Sequence, residues 1–194
     1  MKPKHAKGVA HEELRADARA NRAKILEAAQ ALFAERGASV PIDDIARRAG
    51  VGPGTLYRNF PNKEALFKSI VLERLEELVA EAKQLSHDSD PGAAFFSFLQ
   101  RVVEEGAVKR DLVDALAEMG YDVKARTAHE MGLAHSAMAR LLSRAQEAGA
   151  VRRDAKVADV FALITAVVRA GDSKGSDPDQ RNRLLAILID GLRG

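Results

Sequence analysis

The stretch Ala49–Phe60, AGVGPGTLYRNF, sets glycine at positions 50, 52 and 54, and its reading decides the fold. Such a segment either cradles the phosphates of a bound nucleotide or turns one helix into the next. A dinucleotide-binding loop follows a strand, whereas the preceding IDDIARRA has apolar residues at 42, 45, 46 and 49, the spacing of one helical face. The glycines follow G-x-G-x-G instead of G-x-G-x-x-G. Thr55 and Leu56 stand after Gly54 where a P-loop would carry Lys and Ser or Thr. The segment therefore predicts a helix-turn-helix unit, whose second helix can enter a DNA major groove.

Working outward, Ile25, Leu26, Ala29, Leu32 and Phe33 line one face of a helix predicted over Ala18–Arg36, with Gly37 as its stop. Pro41 can open the second helix, and Asp43 and Asp44 in its first turn suit the positive end of the helix dipole. Gly50 ends that helix and Pro53 opens a third, which Pro61 confines to about two turns of ~3.6 residues. A long fourth helix is predicted from the N-cap Asn62 to Leu85. Further helices are predicted at Gly92–Glu105, Arg110–Met119, Val123–Ala148, Ala155–Gly171 and Gln180–Leu192, and no strand pattern competes with them. The polar, breaker-rich GDSKGSDPDQ between the last two predicts a mobile loop.

The fold expected is thus all-α: a basic flexible arm over 1–17, a helix-turn-helix domain over 18–62, and a larger helical domain over 63–194 for ligand binding and dimerisation. Net charge is +2 overall, but the first 60 residues hold eleven bases against seven acids, which points that end toward an anion. There is no cysteine, which removes disulfides, thiol nucleophiles and thiolate metal sites and fits a reducing cytoplasm. The basic N-terminus lacks the apolar core of a secretory signal, and VFALITAVV is too short to span a bilayer. The expectation is a cytoplasmic protein with no membrane partner.

On the third helix Leu56 and Phe60 are four apart and face inward, leaving Thr55, Arg58 and Asn59 free and Tyr57 at the flank. Arg can bind guanine or phosphate, Asn adenine, Thr a base edge or thymine methyl, and the Tyr hydroxyl a phosphate.

These segments, ILEAAQALFAERG and IDDIARRAGVGPGTLYRNFPNKEALF, closely resemble the DNA-binding domain of the TetR family of bacterial transcriptional regulators, over Arg19–Phe67 or 49 of the 194 residues. The resemblance implies an all-helical homodimer, usually a repressor, in which a C-terminal domain binds a small-molecule effector and so weakens binding to double-stranded operator DNA. By position in the motif it implies that Thr55, Tyr57 and Asn59 lie on the recognition helix, that Lys63 contacts phosphate, and that Gly54 allows close approach to DNA; the exposed Arg58 and the neighbouring Gly52 complete the DNA-binding candidates read from the residues. Arg19 and Arg22 could add contacts. Two positions depart from the family pattern: Val40 and Pro41 stand where a Ser or Thr often binds phosphate, and Gly52 stands where Ser is frequent, followed by Pro53.

In the last two helices Val157, Val160, Phe161, Ile164, Val167 and Val168 form one apolar stripe, and Leu184, Leu185, Leu188 and Leu192 another, with Ile187 and Ile189 beyond it. One core face needs less apolar surface than this, so Val160, Phe161, Ile164, Val168, Leu184, Leu185, Leu188 and Leu192 are expected at an interface with a second copy. The resemblance implies the same two helices. Candidates for an effector pocket are Phe95, Phe96, Phe98, Met119, Tyr121, His129, Met131, His135 and Met138, which combine apolar area with a few polar tips.

His129 and His135 are six apart, not the four of a zincin helix, and no G-x-S-x-G nucleophile elbow occurs. No cofactor, metal or catalytic residue is expected. The principal reading is a ligand-responsive repressor on a palindromic operator. Alternatives are an activator of the same fold or, in another class, a helical small-molecule-binding protein or enzyme.

Overall fold

The computed structural model describes residues 5–37, 39–118, 120, 127–170 and 179–194, with side chains from residue 16 onward except 107–111. Among the described residues there are eight α-helices: α1 His5–Arg36, α2 Ile42–Arg48, α3 Pro53–Asn59, α4 Lys63–Leu85, α5 Pro91–Glu118, α6 Ala128–Glu147, α7 Val157–Ala170 and α8 Gln180–Leu192. The fold is all-α, as the periodicity predicts. Extended pairing among the described residues is confined to a single antiparallel bridge between Val151 and Arg193. No described helix is long and apolar enough to cross a membrane.

Two compact units result, the first comprising the chain up to Ile70 and the second taking Val71–Ala117 and the helices that follow. The division falls inside α4, not at its start, so one continuous helix supplies side chains to both cores.

In the first unit Ile25, Ala29, Leu32 and Phe33 of α1 are buried with Ile45 and Ala46 of α2, Leu56 of α3, and Leu66, Phe67 and Ile70 of α4. Phe33 meets Phe67 edge to face, the ring centroids 4.8 Å apart at 88°. That is the arrangement ring quadrupoles favour. In the second unit Leu78, Phe95, Phe98, Leu99, Met138, Leu141, Val160, Ile164, Leu188 and Leu192 belong to one core.

Three differences from the sequence reading have physical causes. The segment read as a flexible arm continues α1 back to His5, since HAKGVAHEELRADAR is rich in strong helix formers around its one glycine. The two helices expected over 92–105 and 110–119 are the single α5. A mid-helix glycine costs only about 1 kcal/mol, and Gly106 has a packing role: a Cβ there would lie 2.9 Å from Val168 Cγ2 of α7. The sixth helix starts at Ala128, after Thr127; the expected start at Val123, like the expected loop at 171–178, lies outside the described residues.

Candidate nucleic-acid interface

The turn between α2 and α3 is built by the backbone. Gly50 takes φ +65° and the Val51 N–H donates to Ala46 O at 3.0 Å while the Gly50 N–H donates to Arg47 O at 3.2 Å. This double bond pattern is a Schellman cap, and its left-handed residue is nearly always glycine. Gly52 then caps α3 with extended backbone and Pro53 sits in the first turn, where its missing N–H costs nothing. Asn62 performs the same task for α4, its Oδ1 accepting from the Ala65 N–H at 2.8 Å.

Inward, Leu56 of α3 and Phe60 at its C-cap are fully buried. Outward, the helix presents Tyr57, Arg58 and the open space over Gly52 and Gly54, where an added Cβ would meet nothing within 4 Å. Tyr57 is 47% exposed, with its ring available at the surface of the helix. Arg58 lies back along its own helix, Nε donating to Gly54 O at 3.0 Å and Nη2 to Thr55 Oγ1 at 3.2 Å. Asn59 is half-buried and donates to Thr55 O at 2.8 Å. Thr55, Tyr57, Arg58 and Asn59 therefore share one two-turn helix, with their polar atoms near the surface.

Lys63 opens α4, its Nζ 5.4 Å from the Phe67 ring centroid, and partial burial lowers its pKa from the ordinary lysine value. Arg22 projects from α1 over Phe60, guanidinium carbon to ring centroid 4.6 Å, and donates to Ser69 Oγ at 2.9 Å. Arg19 is exposed on the same helix. Val40 is buried, and Pro41 caps α2 with no side-chain hydrogen bond, so the hydroxyl ligand frequent in the resembled family has no counterpart there.

The second unit holds a cavity of about 400 Å³ between α4, α5, α6 and α7, bounded by Leu75, Leu78, Phe98, Val102, Gly106, Val113, Met131, Ala134, Phe161, Ile164 and Val168. Glu105, Asp114, Thr165 and Arg169 are its polar lining. Of the residues chosen from sequence as pocket candidates, Phe98 and Met131 line it. Phe95 and Met138 are fully buried in the core, and His129 is exposed. His135 is exposed with its ring stacked on Phe161 at 3.8 Å, one residue removed from the lining. Met119 and Tyr121 lie outside the described residues.

Sequence reasoning missed Glu105. It is buried in this lining, accepts from Arg74 Nη1 of α4 at 2.6 Å and forms an ion pair with Arg101 Nη2 at 3.1 Å. The i,i+4 spacing of Arg101 and Glu105 on α5 was the available signal.

On α7 and α8 the stripe read as a dimer face is mostly intramolecular. Val160, Ile164, Val168, Leu185, Leu188 and Leu192 are buried in the core, and Phe161 and Leu184 pack partly buried against it. Periodicity locates an apolar stripe but cannot divide it between two cores. The surplus lies one step around each helix: Leu163 and Ile187 are exposed, the latter by 66%. They line an apolar groove of about 590 Å³ with Ala166, Leu184, Leu188 and Gly191. Arg152 and Asp154 flank it in a two-bond pair of 2.6 and 2.7 Å, and that hydrogen bonding holds the Asp154 carboxyl below the ordinary carboxylate range.

Two family models match this chain. Residues 25–70 match the bacterial regulatory proteins of the tetR family, and residues 90–194 match the SbtR-like transcriptional regulator C-terminal domain. A solved TetR transcription regulatory protein from Mycobacterium vanbaalenii is 39% identical with a TM-score of 0.75, covering 93% of this chain and 99% of that one. A TetR transcriptional regulator from Streptomyces coelicolor is 34% identical with a TM-score of 0.72, covering 89% of this chain and 98% of that one. Among curated relatives, an HTH-type transcriptional regulator of Staphylococcus aureus is 37% identical over 76 residues, which are 39% of this chain and 41% of the relative. The match thus spans about two fifths of that relative's length. The protein is a helix-turn-helix DNA-binding regulator of transcription, not an enzyme. The chain belongs to the TetR family.

Proposed function

We propose that the chain is a ligand-responsive repressor that binds a palindromic operator as a homodimer in the cytoplasm. The observation that carries the DNA-binding half is the exposure of Tyr57 and Arg58 on a short helix whose opposite side is fully buried. Thr55, Tyr57, Arg58 and Asn59 read the major groove, Lys63 meets phosphate, and Gly52 and Gly54 admit close approach of the DNA. Arg19 and Arg22 add charge from α1.

Support for the effector is the largely apolar cavity of the second unit, and its position against α4, whose first two turns belong to the reading head. Support for the dimer is the groove on α7 and α8, since an isoleucine 66% exposed beside other apolar groups marks an unfilled contact surface. A twofold pair would place two heads on half-sites about 34–36 Å apart, or a multiple of that, so a small change of α4 opposes simultaneous binding.

The test is an electrophoretic mobility shift with DNA from upstream of the protein's own coding sequence, at low and moderate salt. Retarded DNA that is released as salt rises supports the reading; failure to retard it at low salt refutes it. A promoter–reporter fusion compared with and without the protein then gives the sign. Reporter activity that falls on deletion of the protein would make it an activator.

A further inference from the structure

We propose that the cavity of the second unit takes an uncharged, largely apolar molecule carrying one hydrogen-bond donor, an O–H or N–H group, which bonds to Glu105. This rests on reading that cavity as the effector site.

Glu105 is the only charged residue buried among the described residues, at 5% exposure, and it shares the cavity lining with Leu75, Leu78, Phe98 and Val102. Its Oε2 accepts from Arg74 at 2.6 Å and its Oε1 lies 3.1 Å from Arg101 Nη2 in an ion pair. A carboxylate offers about four lone-pair directions, so each oxygen keeps one for a further donor. It has no proton to give, and a ligand acceptor gains nothing there.

Charge selects further. Arg74 already matches the Glu105 carboxylate, and Arg101 is shared between Glu105 and Glu81 at 3.5 Å. A ligand cation would therefore lose its water with its charge uncompensated. A ligand anion would face the carboxylate itself. The other polar lining groups do not reverse this: Thr165 Oγ1 already donates to Phe161 O at 2.8 Å, and the exposed Asp114 and Arg169 carry opposite charges. A neutral donor at one end of an apolar body satisfies each wall.

The experiment is calorimetric titration of the full chain with three matched probes: 2-naphthol, 2-methoxynaphthalene and 2-naphthoate. A hydrogen bond to a charged acceptor separates the naphthol from the ether by about tenfold or more in Kd, with the naphthoate weaker than both. The variant Ala134→Phe, which fills the cavity from α6, abolishes binding of all three. In the double variant Glu105→Met with Arg74→Met, which removes the buried carboxylate together with its 2.6 Å partner, the naphthol and the ether bind alike.

An ether equal to the naphthol, a naphthoate that binds tightest, or a gap that persists in the folded double variant overturns the donor assignment and leaves the effector cavity standing. Binding of none of the probes, or binding unchanged in Ala134→Phe, overturns the cavity reading and the proposal with it. Should the double variant not fold, the wild-type comparison and Ala134→Phe still decide.

Discussion

The Arg22 guanidinium covers the Phe60 ring at 4.6 Å, so a residue expected to face DNA also clamps α1 onto the end of the reading helix. Such a contact is worth about 0.5–2 kcal/mol, and its hydrogen bond to Ser69 adds to it. Arg22→Ala lowers the thermal midpoint and weakens DNA binding together, whereas Arg22→Lys retains part of the affinity and loses the bond to Ser69. Paired melting and mobility-shift measurements check this; an affinity loss with an unmoved midpoint would reduce Arg22 to a phosphate contact.

Tyr57 and Lys63 separate in the opposite way. Because Tyr57 is half-exposed, Tyr57→Ala changes stability by less than about 0.5 kcal/mol. DNA affinity falls nonetheless. Lys63→Ala weakens binding across sequences and reduces the slope of log affinity against log salt by about one. Fluorescence anisotropy over a salt series measures both.

Lys63 also predicts a pH dependence. Burial disfavours its charged form, so its pKa in the folded chain lies below the unfolded value of 10.5. Between those two values the unfolded chain binds more protons, so this residue's contribution makes stability rise with pH there. DNA phosphate favours the charged form, so as pH rises toward the lowered Lys63 pKa binding takes up protons, and its salt slope flattens at a lower pH than an ordinary lysine would give. Lys63→Ala removes that flattening, as anisotropy titrations at stepped pH would record.

Ile187→Asp sets a charge in the α7–α8 groove while disturbing little of the core, since the residue is 66% exposed. Sedimentation velocity shows a monomer with an unchanged helical circular dichroism spectrum, and operator affinity falls by orders of magnitude because two heads no longer act together. A dimer that survives the substitution would place the interface elsewhere.

Gly50→Ala forces a side chain into φ +65° and costs about 1–2 kcal/mol, although no neighbour obstructs the methyl group. Hydrogen exchange in α2 and α3 rises, which distinguishes backbone strain from a packing defect.

The reading head was legible because its signals are local. Gly50 announces a left-handed residue, Pro53 a first turn, and Leu56 with Phe60 one buried face, all within twelve residues. The cavity was not, because its wall is assembled from four helices far apart in sequence. Aromatic and thioether content selected Phe95 and Met138, which are core, but overlooked Glu105, whose meaning depends on Arg74 thirty-one positions away. The apolar stripes of α7 and α8 were visible as periodicity, yet which residues turn inward depends on the angle at which each helix packs. Leu188 and Ile187 are neighbours in the chain with opposite fates.

Gly106 and Val168 have a consequence for anyone reshaping the chamber. Because α5 and α7 approach within the space of a single methyl group there, the two positions act as one volume element on the cavity wall. Trimming Val168 enlarges the chamber, and a side chain can be introduced at position 106 only after that trimming. A library that randomises the two positions independently would spend most of its members on overpacked chains.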